Sequence, residues 1–372
     1  MSWRRHYLAD HQLFKLLQSD YSVSSAIPVG RASFGLLAVL RTWCALGNSP
    51  LVALCANVCQ DVVAAVFESG CSPIFLDVDP CTCQVPLAEW ERAHQLGASV
   101  AIVVHLYGNP TPVEQLRQLF PSPNFLLIDD AAQALGATVN SNLVGSLGDV
   151  GLISFGPSKH VAVGGGVVLV KKTSFASLVE KQIGLLEPIS QDEADSLADA
   201  FVKRFNSARL SLLLQGDDGA SSFDGLLKDY GSILRCRLNF GSPEEIVKRL
   251  ENYESECSLR RKKALAWSEG LDGSCLQQIG GGRDSVPWRY SCRIPGINWS
   301  QQHELGNAMR SLGADVSHWY LPTHWMCGYQ PGSLPGVERV SQEIFQFWVD
   351  SSISIGQIKK LSSQFSRLLL NF

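Results

Sequence analysis

Strand-length apolar runs alternate with amphipathic, helix-length segments through the first 170 residues. The predicted strands are Leu51–Cys55, Pro73–Asp77, Val100–His105, Phe125–Ile128, Gly151–Phe155 and Val167–Val170. The helices predicted between them are Phe34–Leu46, Gln60–Ser69, Leu87–Leu96 and Thr111–Leu119, and an earlier one is predicted at residues 7–20. Strands that alternate with helices across short Gly, Pro and Asp turns predict an α/β fold, in which helices cover a mostly parallel sheet.

The pattern changes after Lys171. Apolar residues there recur at helical spacing, and long helices are predicted at Leu197–Leu214 and Glu244–Ser268, with a loop at Gly216–Ser222. The remaining predicted elements are the strands Trp288–Pro295 and Val316–Tyr320 and the helices Gln301–Leu312 and Ile358–Leu370. We therefore expect a large domain at residues 1–235 and a smaller α+β domain at residues 236–372.

Charge and hydropathy exclude several classes of protein. The chain has 31 Lys and Arg against 35 Asp and Glu, a net charge of −4, so no basic excess predicts nucleic-acid binding. Its longest apolar runs, such as Val100–Val104, are too short to span a membrane, and the N-terminus has no signal-peptide core. We expect a cytoplasmic protein of enzyme size.

Eleven cysteines are scattered through apolar segments, an odd number with no paired C-x-x-C spacing. This distribution favours reduced, buried thiols over a disulfide framework or a zinc site. No metal site is predicted.

Reactive side chains follow neighbouring predicted strands. Asp130 ends one, Ser154 lies in the next, and Lys159 precedes three glycines, Gly164–Gly166. A carboxylate, a hydroxyl and an amine at adjacent strand ends are the groups that a pyridoxal phosphate (PLP) site needs, because the amine forms a Schiff base and the carboxylate holds the pyridinium proton. Each residue also has an ordinary alternative: a solvated lysine, a strand-end turn or a local cap.

Two further features fit such a site. Gln133 could reach the ring oxygen of the cofactor, and the turn Gly30–Ser33 leads into a helix, whose free N–H groups attract anions. The basic run Arg260–Lys263 is more typical of a solvated helix face than of a phosphate-binding surface.

Together these segments resemble the DegT/StrS-type sugar aminotransferases, which are fold-type-I PLP enzymes of the aspartate-aminotransferase-like fold. The resemblance rests on DAAQALGA at 130–137, GSLGDVG at 145–151, and Ser154-Phe155 with Pro157-Ser158-Lys159. Three further segments extend it along the chain: GCSPIFLDVD at 70–79, VHLYG at 104–108 and WYLPTH at 319–324. Their order and spacing are more specific than any one of them alone.

The resemblance implies a role for each matching residue. Lys159 would be the Schiff-base lysine, Asp130 the pyridinium partner, Gln133 a contact to the ring side of PLP, and Ser154 a phosphate ligand. Backbone amides near Arg31 and Ala32 would also hold the phosphate. Asn239 matches an asparagine that reaches the phosphate from the partner subunit, which implies a homodimer with shared active sites.

The chain departs from the family pattern at four places. Cys59 stands where an aromatic residue usually stacks on the cofactor ring, Arg31 replaces a threonine, and Gly241 replaces an arginine. Residues 171–230 are longer than usual, which suggests a helical insertion near the site entrance.

The implied activity is transfer of an amino group, from glutamate, to the keto group of a nucleotide-linked sugar. Dehydratase relatives replace the lysine with histidine, whereas this chain keeps Lys159 beside His160, which favours transamination. Two alternatives stay open: a non-sugar ketone acceptor such as a cyclitol, and a non-catalytic relative with a regulatory or assembly role.

Overall fold

A seven-stranded sheet forms the centre of the molecule in a computed structural model, which describes residues 12–121, 124–227, 230–236 and 240–370. Its strands are β1 (Ser25–Val29), β2 (Leu51–Cys55), β3 (Ser72–Leu76), β4 (Val100–Val104), β5 (Leu126–Asp130), β8 (Val150–Ser154) and β9 (Gly166–Val170); a small hairpin adds β6 (Thr138–Val139) and β7 (Asn142–Leu143). The order across the large sheet is β1-β9-β8-β5-β4-β2-β3. All neighbours pair in parallel except those of β9, which runs antiparallel to both β1 and β8.

Helices cover this sheet, as the sequence predicts. They are α1 (described from residue 12 to 20), α2 (Ala32–Ala45), α3 (Gln60–Glu68), α4 (Leu87–Gln95) and α5 (Val113–Leu119). The mostly parallel, helix-covered sheet is confirmed. Strand β1 was not predicted: it contains Pro28, which lacks an N–H group, and such a strand fits at the sheet edge, where it pairs only with β9.

Residues 171–230 form two helices and a compact 3₁₀ segment. The helices are α6 (Thr173–Leu185) and α7 (Gln191–Gln215), and α7 begins at Ser190, whose hydroxyl accepts a hydrogen bond from the Glu193 N–H. The predicted loop after α7 is instead a 3₁₀ helix, Gly216–Phe223, because Phe223 is fully buried against Trp325. A second 3₁₀ helix covers Tyr230–Arg235.

A four-stranded antiparallel sheet dominates the C-terminal part. Its order is β10 (Gln277–Gln278), β11 (Tyr290–Arg293), β13 (Ile344–Phe347) and β12 (Val316–Ser317). The surrounding helices are α8 (Pro243–Glu251), α9 (Tyr253–Gly270), α10 (Trp299–Ser311), α11 (Pro335–Glu343) and α12 (Ile355–Leu369). Trp267, Phe347 and Phe365 pack in its core. This part is α+β, as expected, while the boundary at residue 235 stays a prediction.

The prediction of one continuous helix over Glu244–Ser268 was wrong. The helix is interrupted at Asn252, whose φ of −106° and ψ of 10° are not helical, and this residue separates α8 from α9. Tyr253, directly after the break, is buried and donates a 2.8 Å hydrogen bond to the Leu135 carbonyl. This long-range contact fixes the start of α9, and apolar periodicity alone does not reveal it.

The described part of the chain contains no helix that is long and apolar enough to cross a membrane. It also contains no group of three or more His, Cys, Asp or Glu side chains arranged around a metal-sized space. All eleven cysteines are free thiols, and six of them are buried.

Candidate active site

Two adjoining cavities lie where the parallel strands end. The outer cavity has a volume of about 570 Å³ and the inner recess about 120 Å³. Both are lined by Arg31, Ala32, Cys59, Asp61, Ser154 and Lys159. Ligand sites of open α/β sheets lie at this edge, since loops after neighbouring strands diverge there.

A tightly closed loop holds Lys159 over the recess. The carbonyl of Phe155 accepts hydrogen bonds from the N–H groups of Val163 and Gly164, which closes residues 155–164. Ser158 adopts a left-handed conformation with φ 64°, and its carbonyl accepts a 2.6 Å hydrogen bond from the Trp288 indole. Lys159 is half-buried, and its side chain lines both cavities.

The two acids at the end of β5 have different roles. Asp129 is fully buried and lies 2.5 Å from the Nε2 atom of His105, while its second oxygen accepts hydrogen bonds from the N–H groups of Gly145 and Leu147, both at 2.7 Å. The His105 Nδ1 atom accepts from the Thr111 N–H, which places the ring proton on Nε2. Asp129 is therefore a structural acid that anchors the loop after β7.

Asp130 faces the recess instead, because successive strand residues point to opposite faces of a sheet. One carboxylate oxygen accepts a 2.9 Å hydrogen bond from the Ala132 N–H. No hydrogen bond to the other oxygen is found among the described residues. Burial raises the pKa of Asp130, and Ala132 and the charge of Lys159 only partly oppose that rise. A cation in the recess would stabilise the ionised carboxylate.

Gln133 belongs to a buried network that the sequence did not predict. Its carbonyl oxygen accepts from the Tyr107 N–H at 2.9 Å, and its amide donates to the Tyr320 hydroxyl. Tyr107 in turn donates to the Trp319 carbonyl at 3.0 Å. The network joins the WYLPTH segment to the turn after β5, across 187 residues of sequence.

The N-terminus of α2 opens into the same recess. Arg31 is the N-cap residue of this helix, and its side chain accepts no hydrogen bond from the first N–H groups of the helix. The Ser33 hydroxyl is buried without a partner, and the Ser154 hydroxyl accepts only a long bond, 3.3 Å, from Gly156. Gly166 lets this helix approach closely, since a Cβ there would lie 2.8 Å from the Ala32 nitrogen. These are the donors of an anion site.

Arg31 and Asp61 form an ion pair across the cavity wall. Their nearest side-chain atoms are 3.6 Å apart, and the Tyr230 hydroxyl donates a 2.6 Å hydrogen bond to Asp61. The sequence drew attention to Arg31 only. No sequence motif marked Asp61 or Tyr230 as a site residue, because the two side chains meet only in the folded structure, across 169 residues.

Aromatic side chains reach the cavity although Cys59 does not supply one. Trp288, Trp319, Tyr320 and Tyr230 line it, so aromatic surface comes from the C-terminal part and from the end of the 171–230 segment. The presence of glycine at position 241 also has a structural reason. A Cβ at this position would lie 2.7 Å from the Val163 carbonyl oxygen, so the close approach leaves no room for a side chain.

Six of the seven predicted site residues line one recess: Arg31, Ala32, Asp130, Gln133, Ser154 and Lys159. Asn239 lies outside the described residues. His160, next to Lys159, points away and faces the Val286 carbonyl. Burial lowers its pKa well below the ordinary value, so it is neutral there.

The comparison with known families gives this geometry its context. Residues 11–183 match the DegT/DnrJ/EryC1/StrS aminotransferase family. The resemblance stated from the motifs is thus confirmed over the region that supplies six of the seven site residues.

Individual relatives point the same way. A segment of the chain is 39% identical over 122 residues to UDP-N-acetyl-3-dehydro-alpha-D-glucosamine 3-aminotransferase of Acidithiobacillus ferrooxidans, covering 32% of each chain. dTDP-3-amino-3,4,6-trideoxy-alpha-D-glucose transaminase of Micromonospora megalomicea is 25% identical over 315 residues, 81% of this chain and 74% of that protein. Matches at 30–39% identity to five curated relatives span only 27–32% of those proteins.

The fold is shared with solved structures over nearly the whole chain. The putative sugar aminotransferase Spr1654 of Streptococcus pneumoniae superposes with a TM-score of 0.76, over 98% of this chain and 90% of that one, at 16% identity. At this identity the likeness shows the fold alone. It confirms the expected fold class.

Proposed function

We propose that this protein is a PLP-dependent aminotransferase that acts on a nucleotide-linked keto-sugar. The observation that carries the proposal is the convergence of Arg31, Ala32, Asp130, Gln133, Ser154 and Lys159 on one recess. Their sequence positions span 129 residues, from 31 to 159, and the segments between them fold so that an amine, an acid and phosphate donors face one space.

The residues present fit the cofactor. The uncapped start of α2, with the unpartnered Ser33 hydroxyl and the Ser154 hydroxyl, would hold the phosphate. Asp130 has a carboxylate oxygen free of described hydrogen bonds and a pKa raised by burial, so it would hold the protonated ring nitrogen. Lys159 supplies the amine.

The chain's own groups would control the proton movements. PLP, when bound, supplies an electron-withdrawing ring that acidifies the carbon bearing the amino group. The Lys159 Nζ atom would take that proton and return it at the other end of the transfer, since its loop is fixed by the Phe155 and Trp288 hydrogen bonds. Gln133, held by Tyr107 and Tyr320, would orient the ring's polar edge.

The substrate proposal rests on the outer cavity and on the relatives. Its volume of about 570 Å³ can receive a sugar, and Asp61 and Tyr230 offer polar groups for hydroxyls. Relatives named for amino-transfer to UDP- and dTDP-linked sugars support a nucleotide-linked acceptor. Glutamate as the amino donor, becoming 2-oxoglutarate, and a homodimer with shared sites complete the proposal. The cytoplasmic location stays a prediction from the sequence.

An isotope-transfer experiment tests this function. The PLP-saturated protein is mixed with glutamate that carries a labelled amino nitrogen and with a panel of nucleotide-linked keto-sugars and a keto-cyclitol. We expect the label in an amino-sugar product, detected by mass spectrometry, and none with Lys159→Ala. Label in the cyclitol alone would move the proposal to a non-sugar ketone. Uptake of PLP with no transfer to any acceptor and no 2-oxoglutarate would favour the non-catalytic alternative.

A further inference from the structure

A separate cavity lies between α7 and α10, and two arginine side chains line it. Its volume is about 150 Å³, enough for a phosphate group. Two arginines and two histidines line it: Arg209 from α7, Arg310 and His303 from α10, and His318 after β12. No Asp or Glu lines it.

Arg209 is half-buried and lacks the partner that a buried cation normally has, whereas Arg310 is partly exposed. Among the described residues, no hydrogen bond or ion pair to the Arg209 guanidinium is found, and burial lowers its pKa, as does the charge of Arg310. Burial also lowers the pKa of Arg310. Asp315 and Glu304 favour the charged forms of Arg310 and His303, but neither carboxylate reaches the cavity wall.

Further hydrogen-bonding atoms in the cavity are unused. His303 Nε2 accepts from the Asn307 amide, which leaves Nδ1 as a buried N–H donor without a partner. Burial lowers the pKa of His318 to about 3, so its ring is neutral. Its Nδ1 donates to the Ile344 carbonyl at 2.8 Å, which leaves the buried Nε2 as an acceptor that does not bind the anion. Arg310 is held in position by hydrogen bonds to Asn307 and the Val316 carbonyl. The donors are therefore already arranged before any ligand arrives.

We propose that this cavity binds a phosphate-type anion, with the Arg209 and Arg310 guanidinium groups as its main ligands. An anion would neutralise two like charges, and guanidinium groups match its oxygens geometrically. The cavity shares one wall, Trp319, with the outer active-site cavity. The phosphate can thus belong to a nucleotide ligand that extends past Trp319, or be free inorganic phosphate. The proposal does not depend on the aminotransferase activity.

Calorimetric titration of the PLP-saturated full chain with inorganic phosphate tests the proposal. We expect Arg209→Gln to weaken phosphate binding about tenfold or more, because a charge-assisted hydrogen bond is lost. Lys203→Gln removes one charge from the exposed face of the same helix and should bind like wild type. Arg310→Gln should weaken phosphate binding as well. If the Arg310→Gln variant does not fold, Arg209→Gln still tests the proposal, because that change removes no described hydrogen bond.

A variant of the proposed cofactor-phosphate site, Ser154→Ala, provides a second test. Loss of phosphate binding in Ser154→Ala but not in Arg209→Gln would place the anion at the cofactor site and overturn the proposal, as would the absence of saturable binding at millimolar phosphate. A nucleoside diphosphate separates the two sources. If UDP binds more tightly than phosphate and Trp319→Ala removes the difference, the site takes the phosphate of a nucleotide; equal affinities support free phosphate.

Discussion

The Tyr230 hydroxyl donates a 2.6 Å hydrogen bond to the Asp61 carboxylate, which lies 3.6 Å from the guanidinium of Arg31. Through this contact, the end of the 171–230 segment becomes part of the active-site wall. The Tyr230 ring also packs on Phe201 of α7, with ring centroids 4.4 Å apart. The segment suggested as an insertion near the entrance therefore supports the position of Arg31.

Replacing Tyr230 with Phe removes this hydrogen bond and keeps the ring. We expect the free energy of unfolding to fall by about 1–2 kcal/mol, because a partly buried carboxylate loses a donor. Urea denaturation measures the change. Tyr329→Phe is a matched control, since Tyr329 is 44% exposed and no hydrogen bond from its hydroxyl is found in the described structure. Equal stability of the two variants would contradict the role of the Tyr230–Asp61 bond.

The neighbouring acids Asp129 and Asp130 should respond oppositely to loss of charge. Asp129→Asn removes the negative charge beside His105. The new side-chain NH2 group must then face a group that donates to Asp129 in the wild type, either the His105 ring or the Gly145 N–H. We expect a loss of about 1–3 kcal/mol in the free energy of unfolding, because a buried N–H donor is then left without an acceptor. A stability close to that of wild type would contradict the structural role of Asp129.

Asp130→Asn should instead stabilise the PLP-free protein at neutral pH. Because burial raises the Asp130 pKa above its ordinary value of 3.8, the folded wild type binds more protons than the unfolded chain, and its stability falls as pH rises through that interval. The Asp130→Asn variant has no carboxyl group to ionise there, so its gain in the free energy of unfolding over the wild type should vanish below pH 3.8. Denaturation at several pH values measures this. An advantage that grows as pH falls would contradict the assignment.

Local pattern predicted the main sheet well because its strands are buried on both faces and bounded by turns. Strand β2 occupies Leu51–Cys55 as predicted, and β3 and β4 differ from prediction by a residue or so at their ends. Elements whose limits depend on distant partners were missed or misread. Strand β13 and helix α11 were not predicted, and the break at Asn252 is fixed by the docking of Tyr253 on Leu135.

The candidate site was likewise predicted only in part. Sequence motifs were sufficient to select Lys159, Asp130 and Ser154, which lie in adjacent segments of one supersecondary unit. They could not assign the partners of Gln133, because Tyr107 and Tyr320 approach it from separate parts of the chain. The role of Tyr320 follows only from the folded structure.

Restoring the family arginine at position 241 should harm the protein. A Cβ on Gly241 would lie 2.7 Å and 2.9 Å from the carbonyl oxygens of Val163 and Gly164, which are backbone atoms of the loop that holds Lys159. We expect Gly241→Arg to lower the free energy of unfolding by about 1–3 kcal/mol and to weaken PLP binding. Gly184→Ala is the control, since nothing lies near that position. Tighter PLP binding by Gly241→Arg would contradict this explanation.

Mixed dimers test the proposed sharing of active sites. If Asn239 acts in the partner's site, a dimer of one Lys159→Ala and one Asn239→Ala subunit contains one site with both residues intact. We expect the mixture, after subunit exchange, to recover about a quarter of wild-type activity, because half of the dimers are mixed and each has one intact site. Activity no higher than that of either parent would contradict shared sites.

The central claim, that Lys159 is the PLP-binding amine, is tested most directly by borohydride reduction followed by peptide mass spectrometry. The protein incubated with PLP should show an absorbance band in the near ultraviolet or visible range, and reduction should attach the cofactor to Lys159. Lys172→Ala, a change at an exposed lysine, should behave like wild type, and Lys159→Ala should lose the attachment. A cofactor mass on another lysine, or none on Lys159 in PLP-saturated protein, would contradict the account.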